Sequence, residues 1–364
     1  MYNTIKNIDF SDQLLHWFNK NKRKLPWRNT KDPYKIWLSE VMLQQTKVDT
    51  VIPYYIKWIT KFPTIEDVAK SQIDLLLKYW EGLGYYRRCI NFQKSCQIIF
   101  HEKNGKVPRN LDEFLKLPGV GLYTASAVLS ISYNYPIPLI DVNVNRVISR
   151  ILALDNVVKG NKNSFIIFLN KIISKKTPGN FNEALMELGS QICKNINPLC
   201  CDCPINGFCK SKIMGVQEKF PKKTKRKATR LIKVSIGIIW KNEKFYIQKR
   251  LNKSHLSNLW EFPGGKVKNN ENLKNALKRK IFEEVGVNII IKNKIKKIRH
   301  NYSSFSIELT LFNCIIDGII KNDYYENKWI KPSEINLFAF PKANIKLFNY
   351  IEKIGWNKLL KDFK

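Results

Sequence analysis

No apolar run in this sequence approaches the roughly 20 residues that a helix needs to cross a bilayer, and the opening MYNTIKNIDF lacks the pattern of a secretory signal. A protein of the cytosol is therefore expected. Negative charge is also scarce: 30 Asp and Glu stand against 63 Lys and Arg, a formal net charge of +33 over 364 residues. Such a chain suits a polyanionic partner, nucleic acid first and an anionic membrane surface second. Part of the imbalance is compositional, because Lys, Ile and Asn are used heavily throughout, so the charge by itself discriminates little. The length allows two or three domains, each with its own core. Of eight cysteines, four cluster at metal-ligand spacing, which in a reducing compartment favours a metal over disulfides.

The stretch from Pro33 to Tyr55 carries a carboxylate, Glu40, set among Trp37, Leu38, Val41 and Met42. Apolar residues at Trp37, Val41 and Val48 recur at helical spacing, leaving Glu40, Gln44 and Lys47 on the opposite stripe. A cleft along that stripe would desolvate Glu40, raise its pKa and make it a proton donor near neutral pH. An amphipathic helix displaying a solvated Glu fits the same pattern. Before this stretch, residues 11–27 read as an amphipathic helix running into Leu25-Pro26-Trp27-Arg28; after it, Pro53 and Pro63 punctuate the exit and residues 66–79 form another helix.

Residues 80–88, WEGLGYYRR, suit a loop whose backbone nears a phosphate while a tyrosine ring stacks on or wedges between bases; a glycine turn before a buried aromatic helix is the alternative. Leu117-Pro118-Gly119-Val120-Gly121 separates a short helix at 111–115 from the small-residue helix 123–129. Helix, glycine turn and helix is the helix-hairpin-helix arrangement, which offers backbone N–H groups to a DNA phosphate without reading sequence; a plain helical corner has the same outline. Asp141 stands where an N-cap of helix 144–154 belongs, and helix N–H groups stabilise an ionised carboxylate. Across a cleft from Glu40 it would complete one acid and one anion, the pair needed to cleave a glycosidic bond through an oxocarbenium-like transition state. Standing alone it would be a capping Asp.

The sharpest spacing is Cys193-x6-Cys200-x2-Cys203-x5-Cys209, four thiolates on one short loop that can hold a [4Fe–4S] cluster, with structural zinc as the competing occupant. Residues 218–230 read as a basic interdomain linker. Beyond it, 233–240 and 245–249 read as paired strands. Gly265, Glu271, Arg279, Glu283 and Glu284 then follow the order in which a Nudix hydrolase holds Mg²⁺ on a diphosphate.

Taken together, LPWR, PYKIWLSEVMLQQT, WEGLGYYRR, LPGVGLYTA, Asp141-Val142-Asn143, FNEALMELG and the four-cysteine loop resemble the catalytic domain of MutY-type adenine DNA glycosylases, relatives of endonuclease III. The resemblance implies an all-α helix-hairpin-helix glycosylase domain with an iron–sulfur loop at 1–217, the linker 218–230, and a Nudix-like α/β/α domain at 231–364 that recognises 8-oxoguanine. It implies a monomeric, base-flipping enzyme of the bacterial cytosol, associated with the nucleoid, that removes adenine from A:8-oxoguanine or A:G mispairs in duplex DNA. By motif position Glu40 resembles the acid that protonates adenine at N7 and Asp141, with Asn143, the group that stabilises the sugar cation. Trp27, Arg28 and Glu183 would line the adenine pocket. Gln45 and Tyr85 would wedge into the duplex, with Thr46, Leu83, Gly84, Gly119, Gly121, Tyr302 and Ser303 as further DNA contacts. Cys193, Cys200, Cys203 and Cys209 would hold a [4Fe–4S] cluster.

One position separates the relatives from one another, and others depart from the family's pattern. Tyr123 stands where bifunctional relatives carry a Schiff-base lysine, so a monofunctional enzyme leaving an abasic site is expected. A strand-nicking lyase of the endonuclease III kind and a damage-binding protein without catalysis are the other readings. Val142 replaces a glycine beside Asp141, with a modest effect expected. Tyr302-Ser303-Ser304 replaces a Phe-Ser-His loop, which is expected to weaken selectivity for 8-oxoguanine over guanine. Lys280 replaces the first Glu of the Nudix metal-binding run, which argues against a working Mg²⁺ site.

Overall fold

The structure, a computed structural model, describes residues 7–155, 161–222, 230–251, 256–302, 305–318, 320 and 325–360. Up to residue 222 the described chain is helical. In order come α1 (Asn7–Asn21), α2 (Pro33–Leu43), α3 (Val48–Lys61), α4 (Ile65–Lys70), α5 (Ile73–Trp80), α6 (Arg87–Glu102), α7 (Leu111–Leu115), α8 (Leu122–Tyr133), α9 (Val142–Leu152), α10 (Asn161–Ile172), α11 (Pro178–Gln191) and α12 (Lys210–Ile213). The chain divides into two compact units, residues 1–70 with 91–225 and residues 71–90 with 226–364. The division differs from a simple boundary near 217 in grouping 71–90 with the C-terminal part, where Glu81 accepts from the Phe340 N–H (2.7 Å) and Lys78 donates to the Phe338 carbonyl (2.9 Å). Among the described residues no helix is long and apolar enough to cross a membrane.

The expected continuous helix from Pro33 is two helices. Asp32 starts α2 by accepting from the Tyr34 N–H (2.9 Å), with Pro33 at the first position, where its missing N–H costs nothing. The helix stops at Gln44, and Gln45 takes a left-handed conformation (φ 58°). Pro53 lies inside α3 rather than at its exit, giving up one helical hydrogen bond. Likewise the helix expected at 66–79 is split into α4 and α5.

α2 is not amphipathic: Tyr34, Ile36, Trp37, Leu38, Ser39, Glu40, Val41 and Met42 are all buried. Around it, Trp37 packs on Phe92 and Phe114 (centroids 4.5 and 5.6 Å), and Trp58 donates to the Tyr34 hydroxyl (3.1 Å). A polar side chain on such a helix must be satisfied by neighbours rather than water.

In the second unit a seven-stranded sheet has the order β3-β2-β1-β6-β5, with β4 on β1 and β7 on β2. The strands are β1 (Arg230–Lys241), β2 (Lys244–Lys249), β3 (Trp260–Glu261), β4 (Gly264–Lys266), β5 (Asn288–Asn301), β6 (Phe305–Asp317) and β7 (Asn327–Ile330). β1 and β6 run parallel; the other pairings are antiparallel. Alternation along β1 divides the core: Ile236, Ile238 and Trp240 pack with Leu347, Phe348 and Ile351 of α14 (Lys342–Ile354), while Ile239 packs with Leu277, Ile281 and Val285 of α13 (Leu273–Val285). The sheet is thus covered by helix on both faces, the expected α/β/α layering.

Candidate active site

The buried face of α2 contributes Glu40, only 5% exposed. Its Oε2 accepts from the Tyr123 hydroxyl at 2.6 Å, near the start of α8. Burial pushes the Glu40 carboxyl up to about 7; the Tyr123 bond opposes that rise, the Glu183 and Asp141 carboxylates add to it, and Arg28 works against it. A solvated helix-surface Glu is therefore excluded. The group is poised between acid and anion at neutral pH, as a general acid must be.

Asp141 is the N-cap of α9: its Oδ1 accepts from the Val144 N–H at 2.6 Å and its Oδ2 from Asn143 Nδ2 at 3.1 Å. Burial raises its pKa, while those donors favour the ionised form. Val142, in place of glycine, is 80% exposed at the first helical position, so its branched side chain points to solvent and leaves the cap intact. The close approach behind the cap is made by Gly189 of α11, where a Cβ would lie 2.7 Å from the Asn143 Cβ.

Arg28 and Glu183 meet at 3.1 Å (Nε to Oε1), and Arg28 also pairs with Glu187 (2.7 Å), which Arg23 and Gln191 engage from the other side. Glu187 is 1% exposed; burial alone would raise its pKa, but the bonds from Arg23 and Arg28 hold it down at about 2. Trp27 is buried edge-on against Tyr55 (5.3 Å). Glu187, Arg23, Arg146 and Gly189 were not singled out from the sequence. Glu187 and Gly189 sit inside FNEALMELG, within two helical turns of Glu183; Glu187, four residues after Glu183, shares its face toward Arg28, while Gly189 meets Asn143 of α9, and the i to i+4 spacing was the available signal for Glu187.

The hairpin turn brings Gly119 (φ 78°) so close to Asn91 that a Cβ would lie 2.8 Å from the Asn91 Cβ, and Gly121 begins α8 without any side-chain cap. The N–H groups of that turn suit a phosphate. Gln45 is exposed beside Thr46, whose N–H bonds the Leu43 carbonyl (3.2 Å). In the other unit Tyr85 is 41% exposed with φ 49°, the Arg88 guanidinium lies 5.4 Å from its ring centre, and Arg88 and Trp80 both donate to the Gly84 carbonyl (3.1 and 3.2 Å). Leu83 is buried and offers packing rather than an exposed edge. Tyr302 is half-buried against Phe305 (4.9 Å); Ser303, like Ser304, lies outside the described residues.

Cys193, Cys200, Cys203 and Cys209 line one pocket, with Arg150 donating to the Cys193 Sγ (3.3 Å) and to the Lys194 carbonyl (2.6 Å). Yet among the described residues no three His, Cys, Asp or Glu side chains are grouped so as to hold a single metal ion. Four thiols lining one common void are the donor chemistry of an iron–sulfur or a zinc site. Arg146 joins this loop to the cap of α9, bonding the Cys193 carbonyl (2.8 Å), the Gly189 carbonyl (2.6 Å) and Asn143 Oδ1 (3.0 Å).

Comparison with known proteins agrees in both halves. Residues 38–165 match the HhH-GPD superfamily of base excision DNA repair proteins, and residues 235–350 match the NUDIX domain. An adenine DNA glycosylase of Buchnera aphidicola subsp. Acyrthosiphon pisum is 37% identical over 306 residues, spanning 82% of this chain and 85% of the relative. The Homo sapiens adenine DNA glycosylase is 36% identical over 225 residues, 58% of this chain and 40% of that one. Among solved structures, a thermostable thymine-DNA glycosylase superposes with a TM-score of 0.54 at 28% identity over 57% of this chain and 97% of its own. A trapped endonuclease III–DNA covalent intermediate superposes with a TM-score of 0.50 over 58% of this chain and 99% of its own; at 24% identity it bears on the fold alone.

Proposed function

The chain belongs to the adenine DNA glycosylase family, base-excision repair enzymes, and from that premise we propose that it removes adenine paired with 8-oxoguanine or guanine by hydrolysis alone, leaving an abasic site. The observation that carries the chemistry is the Glu40 carboxyl, buried, held by Tyr123 and raised to about 7 within the influence of Asp141. A mispaired adenine flips at a cost of about a few kcal/mol, less than a paired one. Glu40 then gives its proton to N7, turning adenine into a competent leaving group, while the ionised Asp141, held by Val144 and Asn143, offsets the charge developing at C1′. Trp27, Arg28 and Glu183 shape the base pocket. Tyr123 has no amine for a Schiff base, so the strand stays intact.

Gln45, Thr46, Tyr85 and the turn of Gly119 and Gly121 engage the duplex, and the C-terminal domain reads 8-oxoguanine through the loop after Tyr302. The four cysteines hold a [4Fe–4S] cluster. Bound there, the cluster would supply a cross-link between the four cysteines, and these residues would hold the loop that carries Lys194. The enzyme acts as a monomer in the bacterial cytosol.

The test is single-turnover adenine release from duplexes that differ only in the opposing base, 8-oxoguanine or guanine, with alkali added to reveal abasic sites. Faster release opposite 8-oxoguanine, with scission only after alkali, is expected. Equal rates would remove the lesion-reading half of the proposal, and scission without alkali the monofunctional half.

A further inference from the structure

Glu187 follows Glu183 by one helical turn of α11, and both carboxylates face the same guanidinium. Arg28 sets Nε on Glu183 Oε1 (3.1 Å), Nη2 on Glu187 Oε2 (2.7 Å) and Nη1 on the Arg23 carbonyl (3.1 Å). Three donors fixed at once leave that planar group no freedom to turn. From the other side Arg23 holds Glu187 through Nε (2.5 Å) and Nη2 (3.0 Å), and Gln191, itself tied to the Asn21 carbonyl (3.2 Å), donates to the same carboxylate. Each Glu187 oxygen thus accepts two bonds, which fills the acceptor positions of a carboxylate. Glu187 has nothing left to offer a substrate, and its effect reaches the reaction only through Arg28.

The proton donor sits in a balance of charge to which Arg28 belongs. Burial and the Glu183 and Asp141 carboxylates favour protonated Glu40, whereas the Tyr123 bond and Arg28 favour its anion. Further out, Lys31 and Lys22 face Glu183, and Asp49 faces Arg23. Arg28 carries one positive charge for two carboxylates. We infer that Glu187 is a positioning residue for the proton donor: by sharing the charge of Arg28 and fixing its plane against Glu183, it sets how much positive charge Glu40 meets. The inference rests on Glu40 being the donor proposed above. Its sign follows from Coulomb's law. Neutralising Glu187 frees positive charge on Arg28 and favours the Glu40 anion; removing Arg23 turns the whole Glu187 charge onto Arg28 and favours protonated Glu40. A merely structural Glu187 would weaken the fold in both cases without opposite effects on Glu40.

Glutamate carboxyl carbons are labelled with carbon-13 in the full-length protein. The Glu40 signal, identified by its absence in Glu40→Gln, is titrated without DNA in the wild type, Glu187→Gln and Arg23→Met. The midpoint is expected near 7 in the wild type. It should be lower in Glu187→Gln and higher in Arg23→Met, each by about half a pH unit or more, roughly a threefold change in the ratio of protonated to ionised Glu40. Single-turnover excision is followed over the same pH range, and its alkaline limb should move with each midpoint. Arg23 is the outer member of the group, its side chain 38% exposed, so Arg23→Met keeps the test open should the buried Glu187→Gln fail to fold. A midpoint that moves in neither variant, or in the same direction in both, overturns the proposal. Midpoints that separate as expected while the limb stays fixed overturn Glu40 as the donor, and with it the role of Glu187, but leave their electrostatic coupling standing.

Discussion

The Tyr123 hydroxyl donates to Glu40 Oε2 over 2.6 Å, at the position where strand-nicking relatives are expected to carry a lysine. A bond to the charged form favours ionisation, so it restrains the rise that burial imposes on Glu40. In Tyr123→Phe that restraint is gone. The alkaline limb of single-turnover excision, expected near pH 7 in the wild type, moves to higher pH, and the rate falls severalfold from loss of positioning. A pH profile that drops in height without shifting would mean that Tyr123 orients Glu40 and does not tune it.

Glu40→Gln keeps the shape and the acceptor for Tyr123 but has no proton to give. Excision should vanish while duplex binding persists. Stability should change in the opposite direction. Folding raises the Glu40 pKa from 4.5 to about 7, so the folded state binds the proton more tightly; its stabilising effect is full below 4.5 and is lost as pH rises through 7. Above pH 8 the wild type carries a buried anion that the glutamine variant lacks, and the variant should be more stable there by about 3 kcal/mol. Denaturant unfolding at pH 5 and pH 8.5 measures it; a difference independent of pH would refute the burial argument.

Asp141→Asn separates capping from chemistry. Asn caps helices about as well as Asp, so α9 and the fold should persist with an unchanged melting temperature. Without the anion opposite the developing sugar cation, excision should slow by at least a hundredfold, about 2.7 kcal/mol of barrier. A loss within tenfold would reduce Asp141 to a helix cap.

Local motifs were legible where the chemistry is local: the glycines of the Gly119–Gly121 turn, the capping Asp141 and the cysteine spacing all name their geometry over a few residues. Glu40 was legible as a residue but not as an environment. Helical periodicity assigned it to a polar stripe, whereas residues distant in sequence, among them Tyr123, bury α2 almost all round. The same limit hid Glu187 and Arg146, whose partners Arg23 and Cys193 are 164 and 47 residues away. The break at Gln44–Lys47 was missed because the apolar spacing continues across it, although the backbone leaves the helix at Gln44 (ψ 113°), turns left-handed at Gln45 and is extended at Lys47. Likewise, the sequence did not indicate that 71–90 groups with the C-terminal unit, through hydrogen bonds to the backbone of Phe338 and Phe340.

The four-cysteine loop yields a prediction independent of activity. Purified protein should contain about four irons with matching acid-labile sulfide per chain and visible iron–sulfur absorption, as a [4Fe–4S] cluster requires. One tightly bound zinc per chain with no sulfide would assign the site to structural zinc instead. Cys203→Ser should lose iron in proportion to absorbance, whereas Cys201→Ser, exposed and off the spacing, should retain both.

Lys280 decides the remaining question, whether the Nudix-like half retains metal chemistry. Its acidic groups are already committed within the chain: Glu271 grips Arg279 in a bidentate pair (2.7 and 2.8 Å), Glu283 bonds Arg279 and Lys280 (3.1 and 2.8 Å), and Glu284 accepts from Gln248 (2.8 Å). An ammonium among those carboxylates repels a divalent ion and satisfies the charge that would attract one. The wild type should therefore release neither pyrophosphate nor phosphate from nucleotides in millimolar Mg²⁺, and its melting temperature should not respond to the ion. Lys280→Glu removes the tethered cation and adds an oxygen donor, so Mg²⁺ should raise its melting temperature by binding only the folded state. If Mg²⁺ stabilises the wild type as much as the variant, Lys280 is not a substitute for the metal.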